Sequence, residues 1–387
     1  MKTIAIGAAG LGRAFSLMAP TFAADARVRL VAAADPRPEA RARFAADFGG
    51  RAYATVEALC ADPGVDAVYV ATPHQHHAAH AILAAAAGKH VLVEKPMALG
   101  LDECAAMSAA ARAHGVHLLV GHSHSFDAPI ALTKKIIQSG VYGRVRMITA
   151  LNFTDFLYRP RRPEELDTAH GGGAVFNQAA HHVDIARLLV GGRVATVRAQ
   201  TGAWDPVRPT EGAYSALLTF EGGLCASLTY SGYAHFDSDE LCGWIGEGGQ
   251  RKDPEAYGTA RRALSGDETA LKDARNYGGS LFAPAEGMRL HQHFGLLIAS
   301  CERADLRPTP QGVMIYGDTE RRLEPLPAPR VQRAEVIDEL HAALVDGKPP
   351  RHDGEWGAAT LEVCLAILRS SREGREIALP SQTASRT

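Results

Sequence analysis

A glycine-rich turn near the N-terminus and an aspartate after the next apolar stretch have types and spacing that suit phosphate and ribose binding. Gly7, Gly10 and Gly12 follow a short apolar strand and precede a segment with a helical pattern. The backbone N–H groups of such a turn, with the helix N-terminus behind them, can hold a pyrophosphate. Asp35 ends a second apolar strand, where a carboxylate binds a ribose 2′-hydroxyl and repels a 2′-phosphate. We predict an NAD site, in which Arg37 weakens the discrimination against NADP.

The turn departs from the G-x-G-x-x-G pattern at its second glycine. That position is Ala9, whose methyl group lies where the backbone would approach a pyrophosphate. Gly10 follows directly, and we expect it to compensate. A plain strand–turn–helix connection with no ligand is the alternative interpretation of the same residues.

A stretch between residues 153 and 163 combines aromatic rings with three arginines. Arg159, Arg161 and Arg162 follow two phenylalanines and a tyrosine there. Guanidinium groups match carboxylates in two-point geometry, and aromatic rings suit a flat cyclic body. The stretch therefore predicts a site for a carboxylated ring, although a solvated basic loop would have the same composition.

Two groups of histidines need separate interpretation. His122 and His124 flank Ser123 at the end of a predicted strand, where alternation sends the two side chains to opposite faces. One of the two can therefore face a substrate. The denser group lies at residues 74–80, but carboxylate or thiolate ligands at suitable spacing are missing there. We predict no metal site.

The elements that must position these residues alternate between strand and helix through about residue 122. After the first two strands, the pattern predicts strands at 66–71, 90–94 and 117–121 and helices at 38–48, 76–87 and 101–114. This rhythm predicts a doubly wound parallel sheet of the Rossmann type. Ligands bind such sheets at the carboxyl ends of the strands, which is where the turn and Asp35 stand.

The second half of the chain has a different pattern. Polar and apolar residues alternate in predicted strands at 144–153, 195–201, 212–220 and 223–231, which indicates a largely antiparallel sheet with one covered face. A polar insertion at 249–290 and closing helices near 331 and 358–371 follow. We predict an α/β fold in which a Rossmann domain at 1–122 precedes an α+β domain for substrate binding and oligomerisation at 123–380. The final helices can pack back on the first domain, and a disordered tail occupies 381–387.

Length and composition set limits on the function. The chain has 387 residues, of which 46% are hydrophobic and 22% are charged, and its net charge is −2. A charge so close to zero gives no reason to expect a nucleic acid or an anionic membrane as partner. No apolar run reaches the roughly 18 residues of a spanning helix, no signal peptide is evident, and the six scattered cysteines form no C-x-x-C pair. We expect a cytoplasmic protein.

Several motifs together resemble the Gfo/Idh/MocA family of oxidoreductases (glucose–fructose oxidoreductase, inositol dehydrogenase and rhizopine catabolism). The resemblance covers nearly the whole chain, and its motifs are the turn at 7–12, Thr-Pro-His-Gln-His-His at 72–77, Glu-Lys-Pro at 94–96 and the Gly-Gly-Gly to Asp segment at 171–184. Two positions depart from the family pattern, because Asn177 replaces its usual aspartate and Ala179 replaces the glycine that follows.

The resemblance implies an NAD-binding Rossmann domain and a set of residues around the cofactor. Carried over position by position, that set is Gly7, Ala9, Gly10, Leu11, Gly12, Asp35, Arg37, Thr72, Pro73, His77, Glu94 and Lys95. His77 is expected at the cofactor's edge, and Lys95 near the nicotinamide and the substrate hydroxyl.

The chemistry expected of Lys95 and His181 is the oxidation of an alcohol. When a hydride leaves the carbinol carbon, the hydroxyl proton must pass to a group with a suitable pKa. His181 is the predicted base, and Lys95 is the cation that stabilises the developing alkoxide. Asn177 precedes His181 by four residues, so on a helix the two share a face, and the amide can orient the imidazole or a substrate hydroxyl but cannot carry the proton. A surface lysine and a core histidine are the alternatives.

Within the family, the chain most resembles the phthalate 4,5-cis-dihydrodiol dehydrogenase branch. That resemblance implies oxidation of a carboxylated ring cis-diol to 4,5-dihydroxyphthalate, with substrate contacts from His122, His124, Arg159, Arg161, Asn177 and His181. The product is aromatic, which favours oxidation. A sugar or inositol dehydrogenase of the same family and a non-catalytic dinucleotide-binding regulator are the alternatives. The expected partners are a small cyclic diol and further copies of the chain, as a dimer or tetramer through the C-terminal sheet.

Overall fold

A computed structural model describes residues 3–264, 266–282, 289–380 and 382. The predicted disordered tail at 381–387 lies outside the described residues except for Gln382, which is buried and donates a hydrogen bond to Glu362 at 2.6 Å. The chain forms two compact units. The first comprises the described parts of Met1–His122, Asp267–Glu286 and Arg333–Leu361, and the second comprises those of Ser123–Gly266, Gly287–Gln332 and Glu362–Thr387.

Strands and helices alternate through the N-terminal third of the chain. They are β1 (Ile4–Ala9), α1 (Arg13–Ala24), β2 (Val28–Ala34), α2 (Pro38–Phe48), β3 (Arg51–Tyr53), α3 (Val56–Cys60), β4 (Ala67–Val70), α4 (His77–Ala86), β5 (His90–Val93), α5 (Leu101–Ala113) and β6 (Leu118–Val120). The strands form one six-stranded sheet in the order β3-β2-β1-β4-β5-β6, and each neighbouring pair is parallel. The predicted doubly wound parallel sheet is confirmed.

The remaining elements are more varied. They are α6 (Ala128–Gln138), β7 (Val145–Phe153), α7 (Ala180–Val190), β8 (Val194–Gly202), β9 (Ala213–Phe220), β10 (Cys225–Ser231), α8 (Thr259–Ala263), α9 (Glu268–Arg275), β11 (Leu296–Cys301), β12 (Ala304–Thr309), β13 (Gly312–Gly317), β14 (Arg321–Pro325), α10 (Ala334–Leu344), α11 (Gly354–Glu373) and β15 (Ile377–Ala378). In the described residues, no helix combines the length and the apolar character needed to cross a lipid bilayer.

The sheet of the first unit is built from strands with little polar surface. Each side chain of β4 is buried, as expected for a central strand covered by helices on both faces. Five of the six strands are followed, at the edge formed by their carboxyl ends, by segments that belong to the predicted site or its neighbourhood. They begin at Gly10, Asp35, Ala71, Glu94 and Gly121. That edge collects the residues predicted to bind the cofactor.

Part of the predicted insertion at 249–290 belongs to the first unit. Tyr277, which follows α9, packs edge-on against Phe15 of α1 with 5.0 Å between ring centroids, and its hydroxyl donates to Asp47 of α2 at 2.7 Å. Gly278 lies so close to α2 that a Cβ there would come within 2.9 Å of the Ala40 Cα. The segment therefore fixes the outer surfaces of α1 and α2.

The second unit contains a nine-stranded sheet in the order β14-β13-β12-β11-β7-β10-β9-β8-β15. Its pairs are antiparallel except for β7 with β10, so the predicted, largely antiparallel sheet is confirmed. One face, which includes Ile148 and Leu228, is buried, and α7 packs on it. The opposite face carries the exposed side chains of Met147 and Leu217.

Candidate active site

The glycine-rich turn of the first unit begins where β1 ends. Gly10 has a φ of +89°, and a Cβ there would come within 2.8 Å of the carbonyl oxygen of Ala71, so only glycine fits. Ala9 remains part of β1, pairing with Ala34 and Val70. The tight turn therefore lies at Gly10, one residue after Ala9, which occupies the position of the second glycine in the pattern.

Gly12 stands between this turn and the N-terminus of α1. A Cβ at Gly12 would have no protein atom within 4 Å, so the backbone there is open to a bound group. The first N–H groups of a helix point out of its N-terminus and attract phosphates. An open glycine, a tight turn and a helix start fit the pyrophosphate of a dinucleotide.

Asp35 is buried and joins the turn to the end of β2. Its carboxylate accepts hydrogen bonds from the Leu11 N–H at 2.8 Å, from the Arg37 N–H at 2.9 Å and from Arg37 Nε at 3.0 Å. The same guanidinium donates to the Leu11 carbonyl oxygen at 2.9 Å. The carboxylate is therefore held in place for a ribose hydroxyl, and Arg37 partly neutralises its charge.

The Thr-Pro and Glu-Lys-Pro segments are joined through His77. The side chain is fully buried, and its two ring nitrogens lie 2.9 Å from the carbonyl oxygens of Thr72 and Pro96. Burial lowers the pKa of His77 to about 4. A neutral imidazole has one N–H and donates to one of these two carbonyl oxygens, and its burial between Thr72 and Pro96 positions the loop that carries Lys95.

Lys95 and Glu94 differ in their surroundings. Glu94 is buried and accepts a hydrogen bond from the Tyr69 hydroxyl at 2.6 Å, an arrangement that anchors the end of β5. Lys95 is half-buried and lies beside Pro96 at the carboxyl edge of the sheet. The structure thus keeps Lys95 at the edge where the turn and Asp35 lie, as the sequence predicts for a group near the cofactor.

The histidines after β6 are not placed by strand alternation. β6 ends at Val120, and His124 begins a short 3₁₀ turn that ends at Phe126, so the expectation that His122 and His124 point to opposite faces of a strand is wrong. His122 is buried at the end of the first unit. His124 is buried in the second unit, where its ring lies edge-on to that of His181 with 4.7 Å between centroids.

His124 and His181 form a compact cluster with two residues that the sequence did not single out. The Asp127 carboxylate lies 2.6 Å from His124 Nδ1. Phe294 stacks on His124 with centroids 5.0 Å apart and lies 4.8 Å from the ring of His181. An aspartate three residues after a histidine, directly before the Ala-Pro start of α6, was an available signal for Asp127. No local pattern pointed to Phe294, because it comes from a distant loop.

Asn177 holds the turn before His181 and does not act as its neighbour on an α-helix. Residues Val175–Ala179 form a π-helical turn, so the helix-face argument based on four-residue spacing does not apply. The Asn177 amide donates to the carbonyl oxygens of Gly171 at 3.1 Å and Gly173 at 2.9 Å. These two backbone contacts hold the Asn177 amide at the start of the helix that carries His181.

The three predicted arginines occupy different environments. Arg161 has only 11% of its side chain exposed, lies 3.9 Å above the Phe156 ring and donates to the Phe156 carbonyl oxygen at 2.6 Å. Burial lowers the pKa of Arg161 to about 10, and the charges of Arg159 and Arg208 add to that effect. Arg159 is 44% exposed and pairs with Asp155 at 2.8 Å. The backbone N–H of Arg162 donates to Glu165.

Arg208 is a further buried arginine that the sequence prediction left out. It lies over the Tyr158 ring at 5.3 Å, in the same second unit as Arg161. Arg161 and Arg208 therefore place two buried positive charges beside neighbouring aromatic rings. Glu165 lies 3.7 Å from Arg161, and the planar guanidinium groups offer donors that match a further carboxylate.

A row of aromatic rings connects the arginines with the histidines. Phe156 lies 6.3 Å from Tyr230, Tyr230 stacks on Phe294 at 6.2 Å, and Phe294 contacts His181. The row lies on the covered side of the nine-stranded sheet, where the Tyr230 hydroxyl and Thr154 are 2.6 Å apart. Within the described ranges, no three His, Cys, Asp or Glu side chains come together as a metal-binding group.

Two family models match this chain. Residues 4–122 match an oxidoreductase family with an NAD-binding Rossmann fold, and residues 130–251 match the GFO/IDH/MocA C-terminal domain. The glycine turn and Asp35 lie in the first match, and His124 directly precedes the second, which includes Arg161 and His181. The cofactor of the matched fold, NAD, is the one that the geometry of the turn fits.

The chain is similar to several known proteins. It is 49% identical to 1-carboxy-3-chloro-3,4-dihydroxycyclohexa-1,5-diene dehydrogenase of Comamonas testosteroni, over 95% of this chain and 94% of that one. It is 34% identical to levoglucosan dehydrogenase of Pseudarthrobacter phenanthrenivorans, over 53% of this chain and 55% of that one. A solved structure from Bordetella bronchiseptica RB50 superimposes with a TM-score of 0.93 at 45% identity, covering 98% of this chain and 100% of that one.

Proposed function

The chain belongs to the GFO/IDH/MocA family of NAD-dependent oxidoreductases acting on CH–OH groups, and from that premise we propose that it oxidises a carboxylated cyclohexadiene cis-diol. The observation that carries the substrate class is the buried Arg161 over Phe156, in the same unit as His124 and His181. The Comamonas testosteroni relative supports it, since its name describes a ring that bears both a carboxylate and two hydroxyl groups.

In the proposed reaction, the side chains of the protein bind the ring and transfer a proton. When bound, NAD accepts the hydride that leaves the carbinol carbon. A histidine of the His124–His181 cluster exchanges the hydroxyl proton, because an imidazole is the side chain whose ordinary pKa suits that exchange near neutral pH. Lys95 stabilises the negative charge that develops on the oxygen. Loss of hydride from a cyclohexadiene diol gives a ketone that tautomerises to an aromatic catechol, which drives the reaction forward.

The substrate carboxylate is proposed to bind at Arg161 and Arg208. Glu165 lies 3.7 Å from Arg161 and balances part of its charge, and the fork of each guanidinium can donate two parallel hydrogen bonds to a substrate carboxylate. Phe156 and Tyr158 offer flat apolar surfaces beside these charges. A neutral sugar has no carboxylate to accept hydrogen bonds from these guanidinium groups.

The phthalate 4,5-cis-dihydrodiol is one member of this class. It carries two carboxylates, whereas the name of the Comamonas testosteroni relative describes a ring with one carboxylate and a chlorine. The polyol alternative is supported by the levoglucosan dehydrogenase relative, but that similarity extends over 53% of the chain. We therefore place carboxylated ring diols ahead of sugars.

We also propose that the protein self-associates through the open face of the nine-stranded sheet. Met147 on β7 and Leu217 on β9 project from that face with 43% and 47% of each residue exposed. Strand registers place them on one surface, since both pair with positions of β10 that share a face. Apolar side chains grouped on an exposed sheet are typical of a protein interface.

The substrate proposal is tested by following NADH at 340 nm with a matched panel. The panel contains cis-dihydrodiols of phthalate, benzoate, 3-chlorobenzoate and benzene, with myo-inositol and levoglucosan as polyols. We expect the carboxylated diols to give the highest kcat/KM. Arg161→Gln should raise KM for them by roughly one to two orders of magnitude, because a charge-assisted hydrogen bond contributes about 1.5–3 kcal/mol.

The comparison between substrates makes the test specific. Arg161→Gln should change kcat/KM for the benzene dihydrodiol little, since that ring has no carboxylate to lose a partner. Arg159→Gln and Arg162→Gln test whether the other two arginines of the stretch bind the carboxylate. Arg321→Gln, at an exposed position of β14, serves as the matched control. If the polyols react faster than every carboxylated diol, the proposal is wrong and the sugar dehydrogenase alternative replaces it.

A further inference from the structure

Building on the proposed oxidation, we propose that His124, paired with Asp127, accepts the substrate hydroxyl proton, and that His181 donates a hydrogen bond to the same oxygen. This reverses the role that the sequence suggests for His181. The two rings are neighbours, with centroids 4.7 Å apart, so a hydroxyl that reaches one can reach the other. What separates their roles is the nitrogen on which each neutral ring carries its proton.

The backbone fixes the proton of His181 on Nε2. The His124 N–H donates to His181 Nδ1 at 3.4 Å, and the Ser123 hydroxyl lies 3.5 Å from the same nitrogen. A backbone N–H can only donate, so Nδ1 must offer its lone pair. A neutral imidazole has one N–H, which His181 therefore carries on Nε2. In that form Nε2 donates a hydrogen bond and cannot take up a proton.

The opposite arrangement holds for His124. Its Nδ1 lies 2.6 Å from the Asp127 carboxylate, which can only accept when ionised. Nδ1 therefore carries the proton, and Nε2 has the lone pair that a base needs. A carboxylate behind an imidazole also stabilises the imidazolium formed when the base is protonated, as in the serine protease triad.

The position of Asp127 indicates that its pairing with His124 contributes to the reaction as well as to folding. Asp127 occupies the N-cap of α6, where an aspartate ordinarily turns its carboxylate to the N–H groups of the first helical turn. Here the carboxylate reaches back to His124. Asn177 cannot replace it, since its amide is bonded to the Gly171 and Gly173 carbonyl oxygens and has no charge with which to stabilise an imidazolium.

Two ionisable groups of α7 lie close to the His124 segment. His182 contacts Phe294 with 4.8 Å between centroids, and burial lowers the pKa of His182 to about 3, so it adds no positive charge beside His124. Asp184 accepts a hydrogen bond from Ser125 at 2.5 Å and so holds the His124 segment against α7.

The substrate O–H bond breaks and its proton goes to His124 Nε2, while the electron pair of the carbinol C–H bond leaves as hydride to NAD and the C=O bond forms. His181 Nε2–H remains bonded to the oxygen throughout and stabilises its partial negative charge. The His124 imidazolium, held by Asp127, then returns its proton to water.

Paired substitutions separate a base from a hydrogen-bond donor. His124→Gln and His124→Ala should each lower kcat by at least about 10²-fold with little difference between them, because neither replacement can accept a proton. His181→Gln keeps an N–H donor and should retain several-fold more activity than His181→Ala. His170→Gln is the matched control, since His170 is also paired with an aspartate, at 2.7 Å, but is 60% exposed. We expect it to match the unmodified enzyme.

Asp127→Asn tests the carboxylate through a pH profile. Removing the negative charge makes the His124 imidazolium less stable, so the acidic limb of kcat/KM should move to lower pH while kcat falls. Loss of folding would lower activity at each pH without moving that limb, and thermal melting of each variant checks it. An unmoved limb in a folded Asp127→Asn variant would contradict the proposal.

A measurement on the unmodified protein, without cofactor or substrate, tests the same assignment. Long-range ¹H–¹⁵N spectra of ¹⁵N-histidine protein distinguish Nδ1–H from Nε2–H rings, and the histidine variants assign the signals. We expect Nδ1–H for His124 and Nε2–H for His181. The reverse pattern would contradict the inference, even if the enzyme oxidises ring diols. The expected pattern would support the assignment of protons, even if the substrate is a polyol.

Discussion

Asp35 has partners that compete with a ribose hydroxyl for its carboxylate. Arg37 approaches it with its backbone N–H and its side chain, and the Leu11 N–H holds the other oxygen. Arg41 donates to the Asp35 carbonyl oxygen at 2.8 Å and adds a second positive charge close by. The preference for NAD therefore depends on one carboxylate whose repulsion of a 2′-phosphate is partly offset by arginines.

We expect Asp35→Ala to narrow the preference for NAD over NADP. The substitution removes a hydrogen-bond acceptor for the ribose, which should lower kcat/KM with NAD by roughly one to two orders of magnitude. It also frees Arg37 from its partner, so efficiency with NADP should rise. Steady-state kinetics with both cofactors measure the ratio, and equal efficiency of the unmodified enzyme with NAD and NADP would show that Asp35 does not discriminate.

The site residues that belong to local sequence motifs could be identified from the sequence. The Gly7–Gly12 turn and Asp35 follow from a strand–turn–helix pattern, and His181 from a family motif. Arg208 and Phe294 could not be found in that way, because each joins its cluster through contacts between distant segments. The proton positions of His124 and His181 were also inaccessible, since they depend on hydrogen bonds formed only in the folded chain.

At the scale of single elements, the π-helical turn at Val175–Ala179 is the largest departure from a regular pattern. It follows Gly173, where a Cβ would lie 2.5 Å from the Glu211 carboxyl carbon, so only glycine fits. Glu211 also accepts a hydrogen bond from the Val175 N–H at 3.1 Å. A glycine run predicts a turn but not the extra residue wound into the helix, which is why the predicted Asn177–His181 face was wrong.

Four strands of the nine-stranded sheet were predicted from the sequence, and the four strands on one side of them were not. β7 to β10 alternate between polar and apolar residues and were identified, whereas β11 to β14 were not. β12 and β14 contain arginines and prolines, which weaken an alternating pattern. β14 is an edge strand of the sheet, where such residues are common because charge and proline limit unwanted pairing.

We expect Met147→Glu and Leu217→Glu to shift the protein towards the monomer. A buried carboxylate at an apolar interface would have to lose its hydration without a partner, which disfavours association. Val207→Glu is the control, since Val207 is 80% exposed but lies outside the sheet. Light scattering coupled to size-exclusion chromatography measures the mass. An unmodified protein that runs as a monomer at micromolar concentration would contradict the proposal.

For the whole molecule, the compact units are not consecutive stretches of sequence. Asp267–Glu286 and Arg333–Leu361 belong to the first unit, whereas the predicted domains divide the chain at residue 122. The packing of Tyr277 on α1 and the ion pair of Arg27 with Asp338 at 2.6 Å show what joins these segments to the N-terminal sheet. The sequence analysis allowed the final helices to pack on the first domain, but no periodic pattern or motif indicated the contacts of the segment that carries Tyr277.

The stability of the molecule should fall in mild acid because His77 and His182 are buried in neutral form. Burial lowers the pKa of His77 to about 4 and that of His182 to about 3, from an ordinary value of 6.5. Below pH 6.5 the unfolded chain binds protons that the folded chain does not, so the free energy of unfolding falls as pH decreases. Burial raises the pKa of Asp239 to about 6 and also raises that of Glu211, which acts in the opposite direction.

A single variant isolates the contribution of His182 from these opposing groups. His182→Gln keeps a polar partner for the Tyr214 hydroxyl, which lies 2.8 Å from His182 Nδ1, but cannot be protonated. Between pH 7 and pH 5 the unmodified protein should lose about 2 kcal/mol of unfolding free energy relative to this variant. Urea unfolding at each pH measures the difference, with the exposed His114→Gln as control. A difference that stays constant with pH would mean that His182 has the same pKa in the folded and unfolded protein, and the claim that folding keeps it neutral would be wrong.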